Sequence, residues 1–282
     1  TMERSADQSG LLLLESTRQS AEGLLNFLEL LSQQERIFSA GDNPYVRSHP
    51  LTSARIKHVR EHVAKSKYSN LETNPQLESM HDRMRGKLKG FINPSEITLQ
   101  EYGPNNQNLG AQYARAIALA KDQEINAALL IVDGLITNAP QDPFLYELKG
   151  DLLKKGGYTH DAVAPYQKAL ELLPWAALIR INLAQLQLEN GSEEQLAKSR
   201  ENLIDALRYE PEMASAWRFL ATAEGRLGNT GKASLALAEE AMLRQNKALA
   251  LSHSKRAMEN LPEASPGWFR AQDIENSFQE VK

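Results

Sequence analysis

Residues 143–174, PFLYELKGDLLKKGGYTHDAVAPYQKALELLP, decide the fold of this chain. The stretch holds two helix-length segments separated at Gly156-Gly157, and its last residue, a proline, closes the second segment. Because glycine suits a turn and proline cannot continue a helix, the spacing predicts a helical hairpin. Gly150 and Ala162 stand where the two helices must touch, and the larger Tyr166 stands beside them. The hairpin is therefore expected to pack through small residues on facing sides.

The hairpin pattern recurs along the C-terminal part of the chain. Small residues and prolines are found 34 residues apart in three pairs: Ala116 and Gly150, Ala128 and Ala162, and Pro140 and Pro174. This period, with small and large residues at fixed positions, resembles the tetratricopeptide repeat, in which each unit is a pair of helices. Residues 109–282 are therefore predicted to form an all-α solenoid of the tetratricopeptide type.

The end of the array departs from the period. Pro262 lies 51 residues after Pro211, which is about one and a half repeats. A single extra helix explains this spacing most simply. The segment 230–244 is then expected to close one unit and to open the next.

The first 95 residues are predicted to form a separate set of helices. Apolar residues recur at helical spacing in two of its segments, namely Leu24, Phe27, Leu28 and Leu31, and then Leu77, Met80, Met84, Leu88 and Phe91. Residues 96–108 contain Gly103-Pro104 and are predicted to be a linker. The expected organisation is thus a helical domain over 1–95, a linker over 96–108 and a repeat domain over 109–282.

Composition excludes several classes of protein. The net charge is −4 and the pI is near 5.9, which gives no support for nucleic acid as a main partner, since phosphate binding needs a concentrated basic face. The chain has no cysteine, so disulfides and thiolate metal sites are excluded and the redox compartment stays open. The first residues lack the features of a signal peptide; the signal of an exported product would lie upstream of Thr1.

Two short segments carry residue types suited to metal chemistry. On a helix, Glu3 and Asp7 share one face, so that one carboxylate could bind a metal while the other accepts the N–H of a histidine ligand. A solvated acidic pair is the alternative. In the second segment Pro50 biases the preceding backbone towards an extended form, and His49 is expected to project from the loop. His49 would be a ligand, a proton shuttle or a gate, or else an exposed histidine.

Together, these segments resemble the zinc metallopeptidases that include the CAAX prenyl protease, in the bacterial branch that carries repeats. The matching residues are Glu3, Ala6 and Asp7 of an E-x-x-A-D helix, His49, Pro50 and Arg55 of an H-P loop, and the segments 81–88 and 266–274. The resemblance implies that Glu3 is the third zinc ligand and that Asp7 orients a histidine ligand. It implies that His49 gates the metal or stabilises the oxyanion, and that Arg55 holds the loop.

The H-E-x-x-H motif, which supplies the other two ligands and the catalytic glutamate in that family, does not occur in this sequence. Three protein ligands make a catalytic zinc site, so we expect this chain to be the C-terminal part of a longer protease and to be inactive alone, with zinc bound only by the full-length protein. Residues 58–62 spell the inverted motif H-x-x-E-H. Lys57, Arg60 and Lys65 surround it with positive charge, which disfavours a cation there.

The repeats predict a concave groove that binds a peptide or protein. Its polar lining is expected to include Glu147, Asp151, Asn182, Gln185, Arg218 and Thr222. The family resemblance implies a periplasmic location and the outer-membrane protein assembly machinery as a partner. It is also compatible with peripheral membrane association. A non-enzymatic tetratricopeptide adaptor, capped by the N-terminal helices, is the alternative function.

Overall fold

The computed structural model describes residues 2–37, 53–72 and 74–278, and these residues form helices and turns without a strand. In chain order the helices are α1 (Met2–Ser16), α2 (Glu22–Ile37), α3 (Ser53–Lys65), α4 (Pro75–Ile92), α5 (Ser95–Glu101), α6 (Leu109–Lys121), α7 (Ile125–Asn138), α8 (Pro143–Lys155), α9 (Val163–Leu172), α10 (Ala177–Asn190), α11 (Glu193–Tyr209), α12 (Ala214–Arg226), α13 (Thr230–Leu243), α14 (Lys247–Asn260) and α15 (Pro266–Ser277). The predicted all-α class is confirmed. Among the described residues, no helix combines the length and apolar character that crossing a bilayer requires.

The chain divides into two compact units, Thr1–His81 and Asp82–Lys282, which we call the helical unit and the repeat unit. The division falls inside α4, earlier than the boundary predicted after residue 95. The segment 96–108, predicted as a linker, is helical in its first part, where α5 packs against α6, and non-helical from residue 102 to residue 108. Gly103-Pro104 marks the end of that helix rather than a flexible connection between domains.

The helical unit is organised around α3, which packs against both α1 and α2. Its core consists of Leu11, Ala21, Leu25, Leu28 and Val59, with Leu14, Leu24, Ile56 and Val63 packed around them. The predicted stripe of α2 is partly right, since Leu28 is buried. Phe27, however, is 49% exposed. Leu25 takes the inward position instead, because Leu25 and Leu28 lie three residues apart on the covered side.

The repeat unit is a series of helical hairpins in which each helix from α6 to α15 packs against the next. Its core is rich in alanine, and fully buried tyrosines, Tyr113 and Tyr166, fill the space beside the small residues. A Cβ atom at Gly150 would lie 2.9 Å from the ring of Tyr166, so glycine is needed where α8 meets α9. This contact is the one that the sequence pattern predicted.

The helix α13 serves two repeats, as its spacing predicted. It packs against α12, with which it forms one hairpin, and against α14, with which it forms the next. It also contacts α15, the helix that follows that second hairpin. Ala238 on α13 and Ala250 and Ala257 on α14 are fully buried at the crossing. The shared helix α13 therefore lies between α12 and α14.

The C-terminal half of α4 packs against the first repeat through glycine. A Cβ atom at Gly86 would lie 2.0 Å from the Gly110 carbonyl oxygen, and one at Gly90 would lie 2.9 Å from Ile117. The apolar residues that share one side of α4 at helical spacing are exposed by 45 to 54%: Leu77, Met80, Met84, Leu88 and Phe91. The periodicity correctly groups them, but the close backbone approach buries the glycine side of the helix.

Candidate functional site

One arginine joins two carboxylates in the helical unit. Glu3 and Asp7 lie one turn apart on α1, and Arg55 lies in the first turn of α3. Arg55 Nε donates to Asp7 Oδ2 at 2.7 Å and Arg55 Nη2 donates to Asp7 Oδ1 at 2.9 Å, while Arg55 Nη1 lies 3.0 Å from Glu3 Oε2. We call these three residues the Arg55 cluster. Residues from two predicted motifs, 48 positions apart, therefore form one cluster.

Burial and charge distinguish the members of the Arg55 cluster. The exposed fraction of the side chain is 6% for Asp7, 14% for Arg55 and 26% for Glu3. Two parallel hydrogen bonds between a guanidinium and a carboxylate are strong and fix the orientation of both groups. In these contacts one guanidinium meets two carboxylates, and Glu3 is the more exposed of the two.

A catalytic zinc ion fits the Arg55 cluster only with help from other residues. Glu3 offers a carboxylate oxygen, which zinc accepts, but three protein ligands are required. Within the residues that the structure describes, no group of three or more histidine, cysteine, aspartate or glutamate side chains could hold a metal ion. His49, predicted as a gate or an oxyanion stabiliser, lies outside the described residues. Its role stays a prediction.

The two histidines of the inverted motif each have a separate partner on α1. His58 Nε2 lies 2.9 Å from Gln8 Oε1, and His62 Nε2 lies 3.4 Å from Glu15 Oε2. Ser66 Oγ donates to the same Glu15 oxygen at 2.6 Å. Both imidazoles therefore contribute to packing of α3 on α1, in agreement with the structural role that their basic surroundings favour.

In the repeat unit, the predicted groove residues Glu147 and Asp151 lie one turn apart on α8. Lys87 Nζ on α4 donates to Glu147 Oε2 at 3.4 Å, and the Tyr166 hydroxyl donates to Asp151. Burial raises the pKa of both carboxyl groups above the ordinary range, although Lys87 opposes the rise at Glu147 and the Tyr166 hydrogen bond opposes it at Asp151. This part of the predicted groove is therefore filled by internal contacts.

Two further predicted groove residues lie on α10 and are half-buried, Asn182 and Gln185. Lys154 Nζ on α8 donates to Gln185 Oε1 at 2.7 Å, and Gln185 Nε2 donates to Glu189 Oε1 at 3.2 Å. The first bond connects α8 with α10, and the second lies within α10. Gln185 thus has polar partners within the chain, and its use by a ligand requires an exchange of hydrogen bonds.

The last predicted groove residues, Arg218 and Thr222, are exposed on α12. Arg218 Nε lies 2.6 Å from Glu240 Oε2 on α13, and Arg244 Nε donates to Glu240 Oε1 at 2.8 Å. The Glu240 side chain is only 3% exposed. Neither Glu240 nor Arg244 was predicted from the sequence, although a charged residue between alanines, in the segment LALAEEAML, was a signal that its burial needs a partner.

Comparison with known proteins gives one relative and several solved structures. No protein-family model matches the chain. The chain is similar to the β-barrel assembly-enhancing protease of Yersinia pestis, with 21% identity over 249 residues, which is 86% of this chain and 49% of that protein. The chain therefore spans about half the length of this relative.

The solved structures are helical-repeat proteins. The MamA RS-1 ArsTM double mutant covers 59% of this chain and 93% of its own, at a TM-score of 0.45 and 16% identity. A thermophilic TPR protein of Thermus thermophilus covers 71% of this chain and 93% of its own, at a TM-score of 0.36 and 20% identity. With TM-scores below 0.5, these structures support no argument about this chain.

Proposed function

We propose that the chain is part of a zinc-dependent endopeptidase in which the helical unit contributes one zinc ligand and the repeat unit binds protein. The observation that carries the proposal is the Arg55 cluster. Arg55 holds Asp7 with two hydrogen bonds and contacts Glu3, which ties the E-x-x-A-D helix to the segment after the H-P loop. These are the two motifs that the metallopeptidase resemblance requires to be neighbours.

The similarity to the β-barrel assembly-enhancing protease supports the same proposal. The match extends over 86% of this chain, so it includes residues of both units. We propose from that relative's name that the protein acts in quality control of outer-membrane proteins, in the periplasm, with their assembly machinery as a partner. The other zinc ligands are proposed to come from residues outside this sequence.

In this proposal, the chain's own residues act on the position of Glu3. The bidentate bond with Asp7 fixes the Arg55 guanidinium, and its remaining amino group steers the Glu3 carboxylate. Glu3 would supply an oxygen ligand, and a zinc ion held there would supply a Lewis acid that activates water. Asp7 and Arg55 are positioning residues, and His49 remains the predicted gate or oxyanion stabiliser.

The test uses the product of the complete gene and the rate at which it digests unfolded casein. Glu3→Ala is expected to reduce that rate by a factor of about a hundred or more, since a zinc ligand is lost. Glu22→Ala, an exposed carboxylate at the start of α2, serves as the control and should retain full activity. A chelator should abolish wild-type digestion, and added zinc should restore it. Full activity of Glu3→Ala would refute the assignment.

A non-enzymatic adaptor is the second candidate. The observation that favours it is the row of polar side chains on α8, α10 and α12, since hydrogen-bonding groups along a concave repeat surface suit an extended peptide. An adaptor should bind its partner equally well with and without a chelator, and the complete gene product should show no zinc-dependent digestion.

A further inference from the structure

The shared helix α13 leaves a charged cluster on its side between α12 and α14. Glu240 lies on α13, Arg218 contacts it from α12, and Arg244, the residue after the end of α13, contacts it as well. On α14, His253 and Arg256 lie one turn apart. We call Arg218, Arg244, His253 and Arg256, around Glu240, the Glu240 cluster. Its residues come from three consecutive helices.

The arginines of the Glu240 cluster remain open to solvent although two of them are paired. The exposed fraction of the side chain is 57% for Arg218 and 59% for Arg244, against 3% for Glu240. Each arginine uses its Nε atom for Glu240, which leaves terminal amino groups on the outer side of both guanidinium groups. Arg256 is exposed, and within the described part of the chain it has no ion-pair partner.

The pKa of His253 indicates the sign of the charge in this cluster. Burial lowers the pKa of His253 below its ordinary value, and the positive charges of Arg256 and then Arg218 lower it further, while Glu240 opposes them. His253 is therefore neutral at pH 7. Two arginines contact a single carboxylate, and Arg256 adds a further positive charge next to His253, so positive charge is in excess in this cluster of a chain whose net charge is −4.

The other acidic residue of this part of α13 does not neutralise the cluster. Glu239 Oε2 accepts a hydrogen bond at 2.7 Å from Arg270 Nη2 on α15, and its second oxygen accepts from Arg270 Nε. Both carboxylate oxygens of Glu239 are therefore bound by Arg270. The excess of positive charge around Glu240 is thus left for a ligand.

We propose that the Glu240 cluster binds the carboxylate side chains of an acidic segment in a protein partner. The proposal rests on the proposed protein-binding function of the repeat unit and names the partner's chemistry. Glu240 holds Arg218 and Arg244 in place, so that their outer amino groups are already oriented for an incoming carboxylate. Arg256 adds a charge that has no internal partner to give up. An acidic segment complements this surface in charge and in hydrogen bonding.

The test measures binding of fluorescein-labelled hexaglutamate to the 282-residue chain by fluorescence anisotropy. We expect saturable binding that weakens with added salt, and no binding of labelled hexalysine. Arg218→Gln and Arg256→Gln should each weaken hexaglutamate binding about ten-fold, which is the loss expected for a charge-assisted hydrogen bond. Arg208→Gln removes the same charge from an exposed site on α11, where Arg208 pairs with Asp205, and should leave binding unchanged.

Several outcomes would overturn the proposal. These are absence of hexaglutamate binding, equal weakening by Arg208→Gln, and displacement of the peptide by inorganic phosphate at the same concentration of charge, which would indicate a site for small anions. Arg256→Gln removes no internal ion pair, so its effect on binding is free of a folding defect, which circular dichroism would verify. If hexaglutamate fails to bind while Glu3→Ala still abolishes zinc-dependent digestion, only the present inference fails.

Discussion

The Arg55 cluster and the Glu240 cluster are opposite solutions to the same problem of burying a carboxylate. In the helical unit one guanidinium serves two carboxylates, and in the repeat unit one carboxylate serves two guanidinium groups. The buried member is Asp7 in the first cluster and Glu240 in the second. Each buried carboxylate is paired, and the more exposed charged group is a carboxylate in the first cluster and a pair of guanidinium groups in the second.

This difference in sign suits different ligands. We propose that the more exposed carboxylate, Glu3, meets a cation and that the exposed arginines around Glu240 meet an anion. In the Glu240 cluster the buried carboxylate contacts the exposed arginines directly, whereas in the Arg55 cluster Asp7 binds Arg55, which in turn contacts the more exposed Glu3. Removing one partner of a buried ion pair costs more stability than removing one partner of an exposed pair. Arg55 is 14% exposed, whereas Arg218 and Arg244 are 57% and 59% exposed, so substitutions in the Arg55 cluster should cost more.

The largest effect is expected for Arg55→Ala. The change leaves the Asp7 carboxylate, whose side chain is 6% exposed, without the donors of its two hydrogen bonds. We expect a loss of about 3 kcal/mol in the local stability of the helical unit. Because all three tryptophans lie in the repeat unit, the measurement is hydrogen exchange at the amides of α1 and α3.

The matched control for Arg55→Ala is Arg60→Ala. Arg60 also lies on α3, and its pair with Glu29 is largely exposed, so that about 0.5 kcal/mol or less should be lost. Equal protection factors in the two variants would contradict the ranking by burial.

A smaller effect is expected for Glu240→Gln. The amide keeps an acceptor for one arginine but loses the charge that attracts both, and the two guanidinium groups can turn to solvent. The expected loss is about 1–2 kcal/mol in the free energy of unfolding by urea, followed by tryptophan fluorescence. Glu194→Gln removes an exposed carboxylate that pairs with Lys198 and should be nearly neutral. If Glu240→Gln lost more stability than Arg55→Ala, the expected order of the two clusters would be wrong.

Glu147 is a buried carboxyl group in which the two effects on the pKa oppose each other. Burial raises the pKa more than its lysine partner, Lys87, lowers it. The pKa of Glu147 is raised from the ordinary 4.5, so the folded state retains a proton that the unfolded state has lost. The free energy of unfolding should therefore fall as the pH rises from about 4.5 through the raised pKa, and then level off. Glu147→Gln should flatten this part of the profile, measured by urea unfolding at each pH. Glu201→Gln, at an exposed carboxylate, should preserve it.

The smallest effect is expected on the exposed side of α4. Leu88 is 50% exposed, so Leu88→Gln should change the free energy of unfolding by about 0.5 kcal/mol or less. Gly90→Ala on the same helix should cost about 1–3 kcal/mol, because its Cβ would lie 2.9 Å from Ile117. Urea unfolding of both variants measures the difference. A larger loss for Leu88→Gln would mean that the apolar side of α4 is covered.

Sequence predicted the repeat fold well because local chemistry determines it. The interval between Gly150 and its equivalents, and the prolines that end the hairpins, indicated the helix pairs and the shared helix α13. Helical spacing also selected Glu3 and Asp7, and the family resemblance added Arg55. Their direct contact depends on the packing of α3 against α1, which no local pattern specifies.

The features that sequence missed depend on contacts between distant residues. The apolar residues of α4 predicted a shared side, yet the glycines on the other side determined which surface was buried. Likewise, Arg218 was predicted to line the groove, but its contact with Glu240 on the next helix was not predicted. Pairing between helices thus decides both the boundary of the repeat unit and the charge of its groove.

The most direct test of the central claim is the zinc content of the complete gene product, measured by atomic absorption after dialysis. The account predicts about one tightly bound zinc ion per chain in the wild type and in Glu22→Ala, and its loss in Glu3→Ala. Retention of stoichiometric zinc by a folded Glu3→Ala variant, or a wild type that binds none, would contradict the assignment of the Arg55 cluster to a zinc site.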